Sequence, residues 1–373
     1  MFRLPTLSAP IFTALVMAAP AAADDFTMEP RGRIFLDFAQ VDESFPGRNR
    51  DTSDMEVRTA RLGVQGGWDE FRYVAEVDFA GNRLTLKDVN VSWSGDGFTI
   101  RAGHFKTPNS IEHLTSGRFT TFMERQQAND AFRYGRRLGV QVSRSGSNYS
   151  LAAGAFAGSV GSGATGFDMS DGTVLAARAT FVPIRTETRI LHLGAHVRAF
   201  NEGGDGNETL RVRARPGVHL ADRYVDARPA ANNSTLAGLE AAYIDRRFHA
   251  LLEVGREDAD EGGDFTSWSA SAGWFITGEQ RNYSVSSGAF GRTDVLDPVT
   301  EGGQGAFEIA ARFDQLDAGP GGEQTTTTLG LNWYATDHAR VMLNLVHAEA
   351  DGAGARFGAG DFDGIQARLQ FDW

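Results

Sequence analysis

The chain has 373 residues, 41% hydrophobic and 23% charged, with a formal net charge of −12 and no cysteine. The acidic balance excludes the basic footprint of a nucleic-acid binder, and the missing cysteines exclude a disulfide framework. Of 36 basic residues only Lys87 and Lys106 are lysines, so positive charge rests on guanidinium groups, whose planar fork binds oxyanions through paired hydrogen bonds.

Arg3 and the apolar run 11–17, followed by Ala21, Ala22 and Ala23 before Asp24, form a secretory signal peptide over 1–23. The apolar run is about half of the ~20 residues that a membrane helix needs. Cleavage is expected after Ala23, leaving 24–373 as one domain.

Strict alternation then dominates. In 71–79, Phe71, Tyr73, Ala75, Val77 and Phe79 lie opposite Arg72, Glu76 and Asp78. In 189–200, Leu191, Leu193, Ala195 and Val197 lie opposite His192, His196 and Arg198. Phe307, Ile309, Ala311 and Phe313 oppose Glu308, Arg312 and Asp314. These are period-2 strands with one apolar and one polar face.

Soluble sandwiches alternate too, but their strands cluster near 5–6 residues. Here the runs last about 9–12 residues, the length a tilted strand needs to cross a bilayer. Aromatics recur near strand ends (Tyr73, Trp93, Trp274, Trp333), as interfacial girdles require, and charge on strand after strand suits a wet lumen.

The pattern therefore predicts an all-β fold, a transmembrane antiparallel β-barrel of 16 strands with N- and C-termini periplasmic. The strands are expected near 32–40, 55–66, 71–80, 85–94, 97–105, 137–144, 148–157, 172–182, 189–200, 234–245, 247–256, 264–276, 304–313, 325–335, 339–349 and 362–373. Long connections are expected at 41–54, 106–136, 158–171, 257–263, 314–324 and 350–361. The alternation of short and long connections makes 201–233 one external loop and 277–303 one periplasmic segment, despite strand-like stretches inside both. Ile365, Ala367, Leu369, Phe371 and Trp373 carry the outward stripe to the last residue.

No catalytic constellation emerges. His192 and His196 share a polar face, as do Ser267, Ser269 and Ser271, but nothing supplies a third metal ligand or an activating base. No enzyme activity, metal or cofactor is expected.

Several stretches carry a resemblance: Gly32 to Phe38, Glu56 to Val64, Gly103 to Lys106 leading into Thr115 to Arg118, Leu210 to Gly217, Gly238 to Tyr243, Thr277 to Tyr283 and Leu329 to Tyr334. In order and along nearly the whole mature chain, they are similar to the phosphate-selective porins O and P. The resemblance implies a secreted Gram-negative outer-membrane protein in contact with lipid and lipopolysaccharide. It also implies a homotrimer, loops folded into the lumen, and an arginine ladder guiding phosphate or other small anions. The matching positions are Arg33, Arg58, Arg61, Arg118, Arg211, Arg213, Arg215 and Arg256. Arg118 stands where relatives can carry a lysine, which implies weaker preference for phosphate over other anions.

Parity sorts these candidates. Arg61 shares the lumen parity of Gly63 and Gln65, whereas Arg58 falls on the lipid parity unless it lies at the rim or beyond a bulge. Arg256 has the same difficulty. Arg33 pairs by parity with Asp37, so a wall salt bridge is the alternative. Arg211, Arg213 and Arg215 project to one side of an extended chain and repel one another; a solvated loop edge is their alternative. The loop 106–136, with Ile111, Leu114, Phe119, Phe122 and Met123, favours packing inward. The competing reading of the whole chain is a general, structural or adhesive barrel without phosphate preference.

Overall fold

The computed structural model describes residues 26–157, 172–201, 210–229, 231–352 and 354–373; the expected signal peptide and the loop 158–171 lie outside them. Its strands are β1 (Thr27–Phe45), β2 (Arg48–Trp68), β3 (Phe71–Asp78), β4 (Thr85–Gly95), β5 (Phe98–Lys106), β6 (Arg136–Ser145), β7 (Tyr149–Ala157) and β8 (Thr173–Arg185). Then come β9 (Arg189–Asn201), β10 (Val212–Ala214), β11 (Val225–Ala227), β12 (Asn233–Asp245), β13 (Phe248–Ala259) and β14 (Asp264–Phe275). The last are β15 (Tyr283–Ser284), β16 (Ala289–Phe290), β17 (Ala306–Asp317), β18 (Glu323–Thr336), β19 (Ala339–Asp351) and β20 (Gly360–Asp372).

Sixteen of these, β1–β9, β12–β14 and β17–β20, form one closed antiparallel barrel. It is sealed where β1 meets β20, from Arg33↔Asp372 to Ser44↔Asp361. Closure matters because a bilayer offers no hydrogen bonds to an open sheet edge. The start of β1, the end of β20, the turns at 69–70, 96–97, 146–148, 186–188, 246–247 and 337–338 and the segment 277–303 sit at one end; the tight turn at 46–47 and the other connections start from the opposite end.

The alternation holds strand by strand. On β20, Ile365, Leu369 and Phe371 are exposed, whereas Gln366, Arg368 and Gln370 are buried. On β9, Leu193 and Val197 are exposed while His192, His196 and Arg198 are buried. The exposed apolar set faces lipid, and the buried polar set faces a lumen largely filled by loops.

One connection departs from the sequence reading. The segment 41–54 is not a loop: β1 runs to Phe45 and β2 begins at Arg48. Beyond the bilayer a strand needs no apolar outer face, so polar residues there are compatible with pairing. The inner face still packs, since Val41 and Phe45 join Tyr224 and Phe362 in one buried cluster. Strand extension likewise trims the connections at 257–263, 314–324 and 350–361. Among the described residues, those of 210–232 and 277–303 stay out of the barrel wall and form two small hairpins, β10 with β11 and β15 with β16.

Candidate functional site

β5 and β6 are short, at nine and ten residues, so the loop 107–135 between them leaves the wall inside the barrel. It carries two short helices, α1 (Ile111–Leu114) and α2 (Gln127–Ala131). A buried loop must place its backbone polar groups on partners, and the wall supplies them. Asn344 Oδ1 accepts from Met123 N at 2.9 Å, while Arg368 donates to Met123 O at 2.7 Å. Asn332 and Arg340 donate to the carbonyls of Thr121 and Thr120, at 2.9 and 2.8 Å, and Gln370 to that of Arg118 at 2.9 Å. On the other side Glu240 accepts from Ile111 N at 2.8 Å and Glu253 from Glu112 N at 3.2 Å. The loop is thereby strapped to the β12–β20 half of the wall.

A second segment packs across part of the far end. Val212, Ala214, Val225 and Ala227 of the β10–β11 hairpin pack with Phe132, Phe265 and Leu316, all buried. Tyr224 seals the opposite side against Phe45.

Two cavities open beside the inner loop, mainly against β1–β8. The upper one, about 410 Å³, is lined among the described residues by nine lysine and arginine side chains: Arg33, Arg58, Arg61, Lys106, Arg125, Arg136, Arg215, Arg223 and Arg368, against two carboxylates, Glu124 and Asp130. The lower one, about 480 Å³, reaches the turns at the opposite end and is lined among the described residues by eight: Arg31, Arg33, Arg101, Lys106, Arg118, Arg136, Arg144 and Arg178, against one carboxylate, Asp88. Arg33, Lys106, Ser116 and Arg136 border both, so they form the junction. Within low-dielectric walls such charge focuses the field on one sign of ion.

The predicted residues separate cleanly. Arg33 and Arg61 face inward and share Glu76, at 3.1 and 3.0 Å, and Arg61 also binds Asp78 at 2.9 Å. Asp37, the parity partner suggested for Arg33, instead binds Arg368 at 2.6 Å. Arg58 reaches the upper cavity because of a β-bulge: Phe35 pairs with Thr59 and Leu36 with Val57, leaving Arg58 between them. The extra residue reverses the parity, and Arg58 forks onto Glu124 at 3.0 and 2.9 Å. Arg118 lines the lower cavity and binds Asp372 at 3.2 Å.

Arg256 is corrected. It lies on the outer face with Leu252 and Val254, its side chain is 56% exposed, and it pairs with Asp258 and Asp264 at 2.8 and 2.9 Å. It belongs to the outer rim, not to the lumen.

The row 211–215 does share a side, because Val212 and Ala214 turn into the core. Arg215 lines the upper cavity and donates to Ala221 O at 3.0 Å. Arg211 is held by Asp226 of the paired strand, its Nε 2.6 Å from Oδ1. Burial, then the charges of Arg223 and Arg211, push the Arg213 pKa below its ordinary value. Burial alone would raise the Asp226 carboxyl; the Arg211 hydrogen bond and charge outweigh it and hold Asp226 below the usual range.

Arg31, Arg101, Arg125, Arg136, Arg178, Arg223 and Arg368 line the cavities but were not among the sequence candidates. Arg368 was readable by parity, opposite Ile365, Leu369 and Phe371; Arg125 and Arg223 sit in loops where no parity applies. Lys106 donates to the carbonyls of Leu114 and Thr115, at 3.3 and 3.0 Å, and also to that of His113. It therefore ties down the C-terminal end of α1 while bordering both cavities.

A closed sixteen-strand barrel with a lipid-facing apolar exterior and a charged, partly open lumen defines an outer-membrane porin. The family described as phosphate-selective porin O and P matches over residues 29–373, and the chain belongs to that family. A curated Caulobacter vibrioides protein described only as uncharacterized is 30% identical over 349 residues, 88% of this chain and 70% of that one. Porin O of Pseudomonas aeruginosa is 24% identical over 93% of this chain and 88% of its own length. Among solved structures, an anion-selective porin from Comamonas acidovorans shares the fold, with a TM-score of 0.53 and 15% identity over 94% of this chain and 100% of that one.

Proposed function

We propose that this porin passes small anions, phosphate or similar oxyanions, by passive diffusion along the eccentric path on the β1–β8 side. The observation that carries the reading is the local inversion of charge. In a chain of net charge −12, the cavities gather nine basic groups against two carboxylates and eight against one. Selectivity with release needs sites that attract one sign yet hold it weakly.

On this reading the ladder is Arg33, Arg58, Arg61, Arg118 and Arg215, joined by Arg136 and Arg368, with Arg211 and Arg213 as outlying charges. The termini and short turns face the periplasm. The chain assembles as a trimer, a form in which OmpT of Vibrio cholerae, of similar fold, has been solved. Removal of 1–23 on export is checked by N-terminal sequencing of the outer-membrane form.

Reversal potentials across a planar bilayer in a chloride gradient test the proposal; cation selectivity would sink it. Phosphate is expected to reduce chloride current with roughly millimolar strength, as weak releasable sites imply. Sulfate should block comparably, because guanidinium forks fit both tetrahedral anions. Lys106 does not change this expectation, since its ammonium is already engaged by carbonyls.

A further inference from the structure

Glu240 on β12 is buried and is not among the residues lining either cavity, yet its carboxylate takes four contacts from three residues. Its Oε2 accepts from Ile111 N of the inner loop at 2.8 Å. Its Oε1 accepts from Arg178 Nε and Nη2, at 2.9 and 2.5 Å, and lies 3.0 Å from His192 Nε2.

Both partners lead onward to the same place. Arg178 donates to Ser287 O at 3.1 Å and Gly288 O at 2.6 Å, in the turn of the β15–β16 hairpin. His192 Nδ1 meets Tyr283 Oη at 2.6 Å, in β15 itself. The hairpin also touches the inner loop directly, through Phe290 N donating to Thr115 Oγ1 at 3.2 Å. Arg178 and Ser287 border the lower cavity. Room for the carboxylate comes from Gly194 on β9, where a Cβ would stand 2.3 Å from Oε1.

We infer that Glu240 is a positioning residue that couples the inner loop to the β15–β16 hairpin, so that the lower cavity keeps its shape only while both are held. A carboxylate has two acceptor oxygens; here Oε1 takes three contacts, from Arg178 and His192, and Oε2 takes Ile111 N–H. An amide at this position has one oxygen and two donors, so it cannot serve Ile111 N–H and the Arg178 fork together. Loss of the carboxylate therefore frees one of the two segments. The inference rests on the cavities being the conducting path, but the coupling itself has a readout independent of ion flow.

The chain has no native cysteine, so Ala289→Cys in the buried hairpin strand gives a single reporter, read by its reaction with a membrane-impermeant maleimide. In that background Glu240→Gln and Gly194→Ala are introduced separately. The first removes the charge; the second keeps the charge and displaces the carboxylate. Each is expected to raise the labelling rate about tenfold through local opening of the hairpin, and to add open-channel current noise, while the barrel keeps its heat-modifiable mobility. Arg178→Met serves where either variant fails to assemble: it cuts the link to the hairpin and leaves Ile111 its acceptor, so labelling should rise by a similar factor. Labelling rates within about twofold of the Ala289→Cys parent in the assembled variants overturn the coupling. The parent's reversal potential is recorded alongside, so a failure of the anion-path reading shows there and leaves the labelling result standing.

Discussion

The inner wall divides into two halves that treat charge differently. Along β1–β8, Arg33 on β1 and Arg61 on β2 are steadied by Glu76 and Asp78 on β3, yet they still border open space, together with Arg101 and Arg136. Along β12–β17 the buried acids are consumed by packing. Glu240 and Glu253 accept loop N–H groups, Glu257 holds Arg198 at 2.7 Å, and Glu308 accepts from Tyr334 at 2.7 Å and Asn332 at 2.9 Å. An unpaired buried charge is expensive and a paired one neutralises itself. The acidic half is therefore silent toward solvent, and the basic half sets the potential of the open space. Net charge conceals this, because it adds charges on the outer rim to charges on the path.

The largest effect expected concerns the lipid side of the same wall. Leu193→Arg places a guanidinium on the exposed face at a cost of ~2–4 kcal/mol near the bilayer midplane. Assembled barrel should fall sharply in outer-membrane fractions, whereas Arg198 on the inner face of the same strand is native. Normal assembly of that variant would refute the assignment of faces.

Within the lumen, Arg33→Ala with Arg136→Ala should move the reversal potential furthest toward cations, since both border the junction and Glu76 loses a partner. Glu308→Gln, on the packed half, should leave it nearly unchanged. Equal shifts from the two would erase the contrast between the halves.

A smaller effect follows along the arginine row. Arg215→Ala should reduce anion selectivity more than Arg211→Ala, because Arg215 lines the upper cavity and Arg211 is committed to Asp226. The Arg211–Asp226 pair has its own pH signature. The Asp226 carboxyl is depressed in the folded state, so its contribution is present above the ordinary aspartate pKa and lost as pH falls through the depressed value. Proteolysis of the 210–229 segment should accelerate only on acidification. The smallest effect is expected of Arg256→Ala, on the outer rim, which should leave selectivity as it is in the parent.

Much of this was legible beforehand because a membrane wall imposes a period of two on every strand. Sixteen strands and the inward set on β9, β17 and β20 follow from that rule, while the inward folding of 106–136 follows from its apolar residues, Ile111, Leu114, Phe119, Phe122 and Met123. What it missed has physical causes. The lipid parity of Arg58 was right for a regular strand, and only the bulge opposite Phe35 and Leu36 turns it inward. Arg211 was grouped with Arg215 by spacing, but the register Arg213↔Asp226 that brings Asp226 beside it depends on a hairpin no local pattern shows. The segment 41–54 read as a loop because the rule was applied where no bilayer remains to enforce it. Glu240 stood within a stretch that resembles the family, yet nothing in its neighbours marks it as a hub; its four contacts come from 111, 178 and 192, all distant in sequence.

That over-long hairpin has a practical side. The 21 residues of β2, at ~3.3 Å each, extend roughly 70 Å; tilted by about 40° they still rise roughly 50 Å along the barrel axis, twice the ~25 Å apolar band. The tip at Pro46 and Gly47 therefore stands well clear of the membrane. Gly47 has φ of 72°, with no atom within 4 Å of where a Cβ would be. On the proposed orientation, with the termini in the periplasm, the turn at Gly47 is the place to splice a short foreign peptide for surface display, and antibody labelling of intact cells checks it.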